Sequence, residues 1–174
     1  MIWKPTETAP DWERQFAAIL PLFGHRNWVV VADSAYPAQS RPGIETILAN
    51  AEQIEVVRKV LGAIKSSRHV RPIVYADREL AFVHEIDAPG TTEYRQHLAD
   101  ALYGSGISYL PHEQIIAKLD QSAQIFRILI IKTDMTISYT SVFFELDCGY
   151  WNADAEKRLR REILASDPSQ AGKL

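Results

Sequence analysis

The sequence predicts a single α/β domain built on a mainly parallel sheet flanked by helices. Three observations carry that expectation. Val29-Val30-Val31 and most of Ile125 to Ile131 are apolar without alternation, the pattern of strands buried on both faces. Segments with helical periodicity alternate with such runs along the chain. No repeat, low-complexity tract or linker divides the 174 residues, a length that suits one domain with a substantial core.

Thr8 to Phe23 reads as the first helix. Pro10 suits its start, Asp11 and Glu13 suit the positive end of its dipole, and Trp12, Phe16, Ile19, Leu20 and Phe23 form an apolar stripe. Pro21 tightens the last turn and Gly24 stops it. The valine strand follows. Ser34 to Gly43 holds two prolines and a glycine among polar neighbours, so it is a loop of the kind where α/β sheets meet ligands. Ile44 to Leu48 is a short strand, Ala51 to Lys65 a helix, and Arg71 to Ala76 the next strand. Leu80 to Ile86 reads as a further strand, joined by a hairpin turn at Asp77-Arg78.

Ala88-Pro89-Gly90 breaks the chain, and Thr91 or Thr92 caps a helix running to about Tyr103, where Gly104 and Gly106 end it. Ile107 to Leu110 is a short strand, and Pro111 opens a helix to about Gln124. Asp134 to Ser138 is a turn between the Ile125–Ile131 strand and a last apolar run, Val142 to Leu146. A charged amphipathic helix over Asn152 to Leu164 and a frayed tail from Ser166 to Leu174 close the chain.

Bulk properties narrow the function. The chain is 47% hydrophobic and 24% charged, as soluble globular proteins are, and its formal charge of −3 gives no electrostatic reason to expect nucleic acid. One cysteine, Cys148, excludes an internal disulfide and fits a reducing compartment. No apolar stretch is long enough for a signal peptide or a membrane span, so the expected setting is the cytoplasm.

Strong motifs are absent. The sequence has no glycine-rich phosphate loop, no paired-cysteine zinc pattern and no nucleophile-elbow serine. His84-Glu85 lacks a second histidine four positions after His84, and nothing in the spacing of the five histidines supports a metal site. Three polar groups stand out by placement. His25 follows a glycine at a helix end and precedes the valine strand; on placement alone a surface capping imidazole is the leading reading. Asp33 closes that strand, where a carboxylate also caps loop N–H groups. His112 follows Pro111 at a helix start, and its bland reading is an N-terminal cap. Eight positions of strand separate His25 from Asp33, about 26 Å, so one straight strand cannot bring both to one small ligand. Tyr139 precedes the last apolar run and Cys148 follows it; packing accounts for either.

Taken together, these placements resemble the D-ribose pyranase / L-fucose mutarotase (RbsD/FucU) family. Gly24-His25 ahead of a hydrophobic strand is similar to its opening signature, and Asp33 to Pro37 to its aspartate-to-proline loop. Pro111-His112-Glu113-Gln114 is similar to the ribose-type His-Glu-Gln segment, and Tyr139-Thr140-Ser141 stands where the family has Tyr-Ala-Asn or Tyr-Gly-Asn. The resemblance runs from about Phe16 to Gly149, which leaves the helix from Asn152 as an addition and Ile44 to Tyr103 poorly matched. It implies an RbsD-like fold and a monosaccharide substrate such as ribose or fucose. It implies His25 as the catalytic acid, and Asp33, His112, Tyr139, Thr140 and Ser141 as substrate contacts, with neither metal nor cofactor. It further implies a ring-shaped homo-oligomer whose sites borrow the tyrosine triplet from a neighbouring subunit. The chemistry suits these groups: ring opening needs one proton given to the ring oxygen and one taken from the anomeric hydroxyl, and positioned acid–base groups contribute about 10²–10⁴-fold. Ser141 in the asparagine's place loses a carboxamide's paired donor and acceptor. The alternatives are a non-catalytic sugar-binding or regulatory relative, and a hydrolase-like enzyme using Cys148.

Overall fold

The computed structural model describes Thr6 and residues 10–166. In chain order the elements are α1 (Asp11–Ile19), β1 (Trp28–Ala32), β2 (Ile44–Leu48), α2 (Gln53–Ser66), β3 (Val70–Asp77), α3 (Thr91–Ala101), β4 (Ser108–Leu110), α4 (His112–Ser122), β5 (Ile128–Lys132), β6 (Val142–Cys148) and α5 (Ala153–Ser166). The strands form one mixed sheet in the order β2-β5-β1-β6-β3-β4. β1 pairs in parallel with β5, β5 with β2, and β3 with β4, whereas β6 is antiparallel to both β1 and β3. Five strands therefore point one way and β6 the other.

Chain length explains the reversed strand. Thr133 to Ser141 is all that joins β5 to β6, and a parallel return needs a crossover of a dozen residues or more. The chain leaves β5 at one edge of the sheet and must start β6 from that same edge. Ser141 thus lies beside the end of β1, since Val142 pairs with Val31.

β1 is buried along its whole length because both faces of the sheet are covered. Val29 and Val31 join one core with Trp12 and Phe16 of α1, Val57 and Ile64 of α2, and Tyr94 and Leu98 of α3. Trp28, Val30 and Ala32 face the other way, onto Ile115 and Leu119 of α4. Alternation exists in which layer each side chain enters, not in polarity.

The expected strand over Leu80 to Ile86 does not form, and the hairpin goes with it. Arg78–Phe82 is a 3₁₀ segment instead. The Arg95 guanidinium donates to the carbonyls of Leu80 (3.2 Å) and Val83 (3.1 Å), groups a strand ladder would have used. Leu80 is buried while Phe82 and Ile86 are exposed, so the stretch has one anchor rather than an apolar face. The free edge of β3 is taken by β4. The first helix is shorter than expected, its last turn being the 3₁₀ segment Leu20–Leu22; the expected start at Thr8 and the tail beyond Ser166 lie outside the described residues. No helix among the described residues is long and apolar enough to cross a membrane.

Candidate functional site

The carboxyl ends of β1, β3 and β4 and the beginning of β6 share one edge of the sheet, the usual position of ligand crevices in α/β folds. Asp33 follows β1 directly, Asp77 ends β3, His112 opens α4 two residues after β4, and Tyr139 to Ser141 lead into β6. Asp33, Tyr36, Asp77, His112 and Tyr139 line a cavity of about 320 Å³ at this edge. That is the lower end of the range for small-molecule sites, about 300–1,000 Å³.

Asp33 is held from two sides. Its Oδ1 accepts from the Ala35 N–H (2.9 Å), and its Oδ2 accepts from the Ser141 hydroxyl (3.1 Å). The loop-capping role anticipated for this carboxylate is thus present alongside its place on the cavity. Tyr139 adopts a left-handed backbone, φ 61°, a conformation that costs a non-glycine residue about 1–2 kcal/mol. Its ring stands edge-on to the His112 imidazole at 5.7 Å.

His112 is the most constrained group in the cavity. Both Glu79 carboxylate oxygens accept from its backbone N–H at 3.0 Å, which places an anion at the positive end of α4. Its Nδ1 lies 3.1 Å from Asp77 Oδ1. Asp77 is 1% exposed, and its Oδ2 has no hydrogen-bond partner among the described residues. Burial pushes the Asp77 carboxyl up to about 6 against the pull of His112, with repulsion from Glu79 and Asp33 adding to the rise. Burial also raises the Tyr36 phenol to about 12, helped by Asp77, Asp120 and Asp33, so this hydroxyl keeps its proton at neutral pH.

Three of the anticipated contacts, Asp33, His112 and Tyr139, therefore converge within a single chain, and Ser141 supports them through Asp33. Antiparallel β6 places Tyr139 and Ser141 of the same chain beside the end of β1. Thr140 does not reach the cavity. It is fully buried, its hydroxyl donates to the Ile137 carbonyl (2.7 Å), and its own carbonyl accepts from the Tyr94 hydroxyl (2.7 Å) and from Gln53 Nε2.

His25 lies at the far end of β1, as the strand's length required. Its Nδ1 meets Asp147 Oδ1 at 3.0 Å, and its Nε2 accepts from Arg26 Nε at 3.2 Å. Burial alone would raise the Asp147 carboxyl, but the Arg71 hydrogen bond, the Cys148 N–H and the charges of Arg71 and His25 together hold it below the usual carboxylate range. His25 and Cys148 border a different hollow of about 610 Å³, walled by Tyr150, Trp151 and the first turn of α5. Asp77 and Glu79 were missed as site residues because Asp77-Arg78 resembles a hairpin turn. The signal was present: Asp77 closes a buried apolar strand just as Asp33 does. No group of three or more His, Cys, Asp or Glu side chains is arranged to hold a metal ion among the described residues.

Fold and cavity together describe an α/β protein that gathers carboxylates, an imidazole and a phenol around a strand-end cavity. The chain belongs to the RbsD / FucU transport protein family, whose model matches residues 12–148. Bacillus subtilis RbsD complexed with D-ribose is similar in structure at 19% sequence identity, with a TM-score of 0.54, covering 82% of this chain and 98% of that one. The fucose mutarotase of Streptococcus pneumoniae in complex with L-fucose is similar at 18% identity and a TM-score of 0.53, with the same coverage. FucU from Bifidobacterium longum follows at 14% identity and a TM-score of 0.51, covering 76% of this chain and 92% of that one. A search of curated proteins finds no match.

Proposed function

We propose that the protein is a cytoplasmic monosaccharide mutarotase or pyranase, which interconverts sugar anomers or ring forms by acid–base ring opening. The observation that carries this reading is the convergence of Asp33, His112 and Tyr139 on one cavity sized for a small ligand. A sugar ring presents hydroxyls, and the cavity offers acceptors at Asp33, a donor at Tyr139 and an imidazole at His112. Ring opening consumes no electrons and needs no metal. Family membership and the sugar-bound structures of similar fold support the same substrate class.

His25 is the catalytic acid in this reading, and it is supplied by a second copy in a ring-shaped homo-oligomer. Support comes from distance: His25 and Asp33 flank opposite ends of one strand, so an imidazole from position 25 reaches the Asp33 cavity only across a contact. The experiment is NMR exchange spectroscopy between the anomers of D-ribose and of L-fucose. His25→Ala and Asp33→Asn are each expected to abolish acceleration while folding normally. Mixed and reassembled in equal amounts, they regain roughly a quarter of wild-type activity, the share of random contacts that join two intact halves. Wild-type rates in His25→Ala, or no recovery on mixing, would count against the assignment.

One observation favours the runner-up, a sugar-binding relative without turnover. The Ser141 hydroxyl is committed to Asp33 at 3.1 Å, whereas the family's asparagine would keep a donor for the ligand. Saturable binding of either sugar without faster exchange would establish this second reading.

A further inference from the structure

We infer that Asp77 is a positioning residue that fixes the His112 imidazole in one tautomer, and that His112 Nε2 is the base that handles the anomeric proton. The inference rests on the reading of the protein as a sugar-ring isomerase and adds the second proton-handling group such a reaction needs.

The geometry is asymmetric between the two carboxylates of the cavity. Asp33 has both oxygens engaged, by Ala35 N–H and by the Ser141 hydroxyl, with further lone pairs left for a ligand's hydroxyls. Asp77 faces inward, is 1% exposed, and has Oδ1 on His112 Nδ1, with Oδ2 unpartnered among the described residues. Buried polar atoms are nearly always satisfied, and an orphaned carboxylate oxygen beside a cavity marks a group retained at a cost to stability. Asp77 stands in the cavity wall almost wholly enclosed. It acts through the ring: with Nδ1–H donated to Asp77, Nε2 is an unprotonated acceptor and the only ring nitrogen left for a sugar. Glu79 on the backbone N–H anchors the start of α4, and Tyr139 packs against the edge of the His112 ring.

The step balances without a co-reactant. His112 Nε2 takes the proton of the anomeric hydroxyl, whose oxygen lone pair becomes the second bond of the new aldehyde. The bond from the anomeric carbon to the ring oxygen breaks, its electron pair stays on that oxygen, and the oxygen takes a proton from the acid assigned to His25 of a second copy. Rotation about the bond next to the aldehyde exposes its other face, and the same transfers in reverse close the ring. The imidazolium formed midway is stabilised by the Asp77 carboxylate. The groups facing Asp77 are His112 from α4, Glu79 from the 3₁₀ segment, and Asp33 and Tyr36 from the loop after β1.

The test uses the full chain with D-ribose and L-fucose. Asp77→Asn is expected to bind the faster-exchanged sugar within threefold of wild type while exchange slows by about 100-fold or more, the usual contribution of a positioned acid–base group. The ¹⁵N resonances of His112 in the wild-type protein at pH 8 should show a protonated Nδ1 and a bare Nε2, a readout that does not require the variant to fold. Exchange within threefold of wild type in Asp77→Asn overturns this inference and leaves the isomerase reading standing, as does finding the proton on Nε2. A wild-type protein that binds sugar without accelerating exchange overturns both.

Discussion

Asp77 shows at the level of one residue how a site is set against stability. An aspartate in an unfolded chain ionises near 3.9, while burial holds the folded Asp77 at about 6. Between those values the folded state binds the extra proton, so stability falls as pH rises across the window, by about 3 kcal/mol in full. Asp77→Asn cannot ionise and escapes that loss. It is expected to be more stable than wild type at pH 7.5, with the advantage shrinking towards pH 4, as urea denaturation at both values would show. A gain that is the same at both pH values, or a net loss at pH 7.5, would contradict the account. The same carboxylate ties activity to pH: exchange should decline below about pH 6, where Asp77 takes up a proton and no longer backs the imidazole.

Among the elements, the short connection from β5 to β6 decides most about the site, and the start of α2 holds it. Gln53 is fully buried; its Nε2 donates to the Tyr94 hydroxyl (3.0 Å) and to the Thr140 carbonyl, and its Oε1 accepts from the Thr133 hydroxyl (2.9 Å). One side chain thus ties both ends of the connection to α2 and α3. Gln53→Leu removes these three buried hydrogen bonds, while the Tyr94 hydroxyl keeps the Thr140 carbonyl and the Thr133 hydroxyl keeps the Ala32 carbonyl, and should lower stability by about 2–4 kcal/mol. Because Tyr139 and Ser141 flank Thr140, sugar affinity should fall as well. Chemical denaturation and calorimetric titration with D-ribose or L-fucose check the two effects, and unchanged affinity in a folded variant would separate the network from the cavity. Legibility at this scale was uneven. β1, β2, β3, α2 and α4 follow from hydrophobic periodicity within a residue or two of their ends. Leu80 to Ile86 misled because β-branched and aromatic residues raise strand expectation, while the Arg95 guanidinium that claims their carbonyls comes from a helix a dozen residues later.

For the whole molecule, the two cores are complete without α5. None of its residues is buried, and Leu159 and Ile163 remain exposed. Removal of the chain from Ala153 onward is expected to leave the urea midpoint of the folded domain almost unchanged, within about 0.5 kcal/mol in stability. A large loss would mean that this helix supports the domain. Cys148 borders the other hollow and does not line the Asp33 cavity, so Cys148→Ala should exchange sugars like wild type; loss of exchange would reopen the cysteine reading.

The amino-acid sequence by itself determined the identity and order of nearly all the secondary elements, the single-domain α/β class and the membership that the Gly-His, Asp-to-Pro, His-Glu-Gln and Tyr-Thr-Ser segments suggested. Those properties are local, written in periodicity and short motifs. Which polar groups meet was decided only by the tertiary structure. Asp33 and Ser141 are far apart in the chain and hydrogen-bonded, while His25 and Asp33 are eight residues apart and at opposite ends of a strand. Strand order and the reversal of β6 set those neighbours, and no spacing along the chain records how a sheet is assembled.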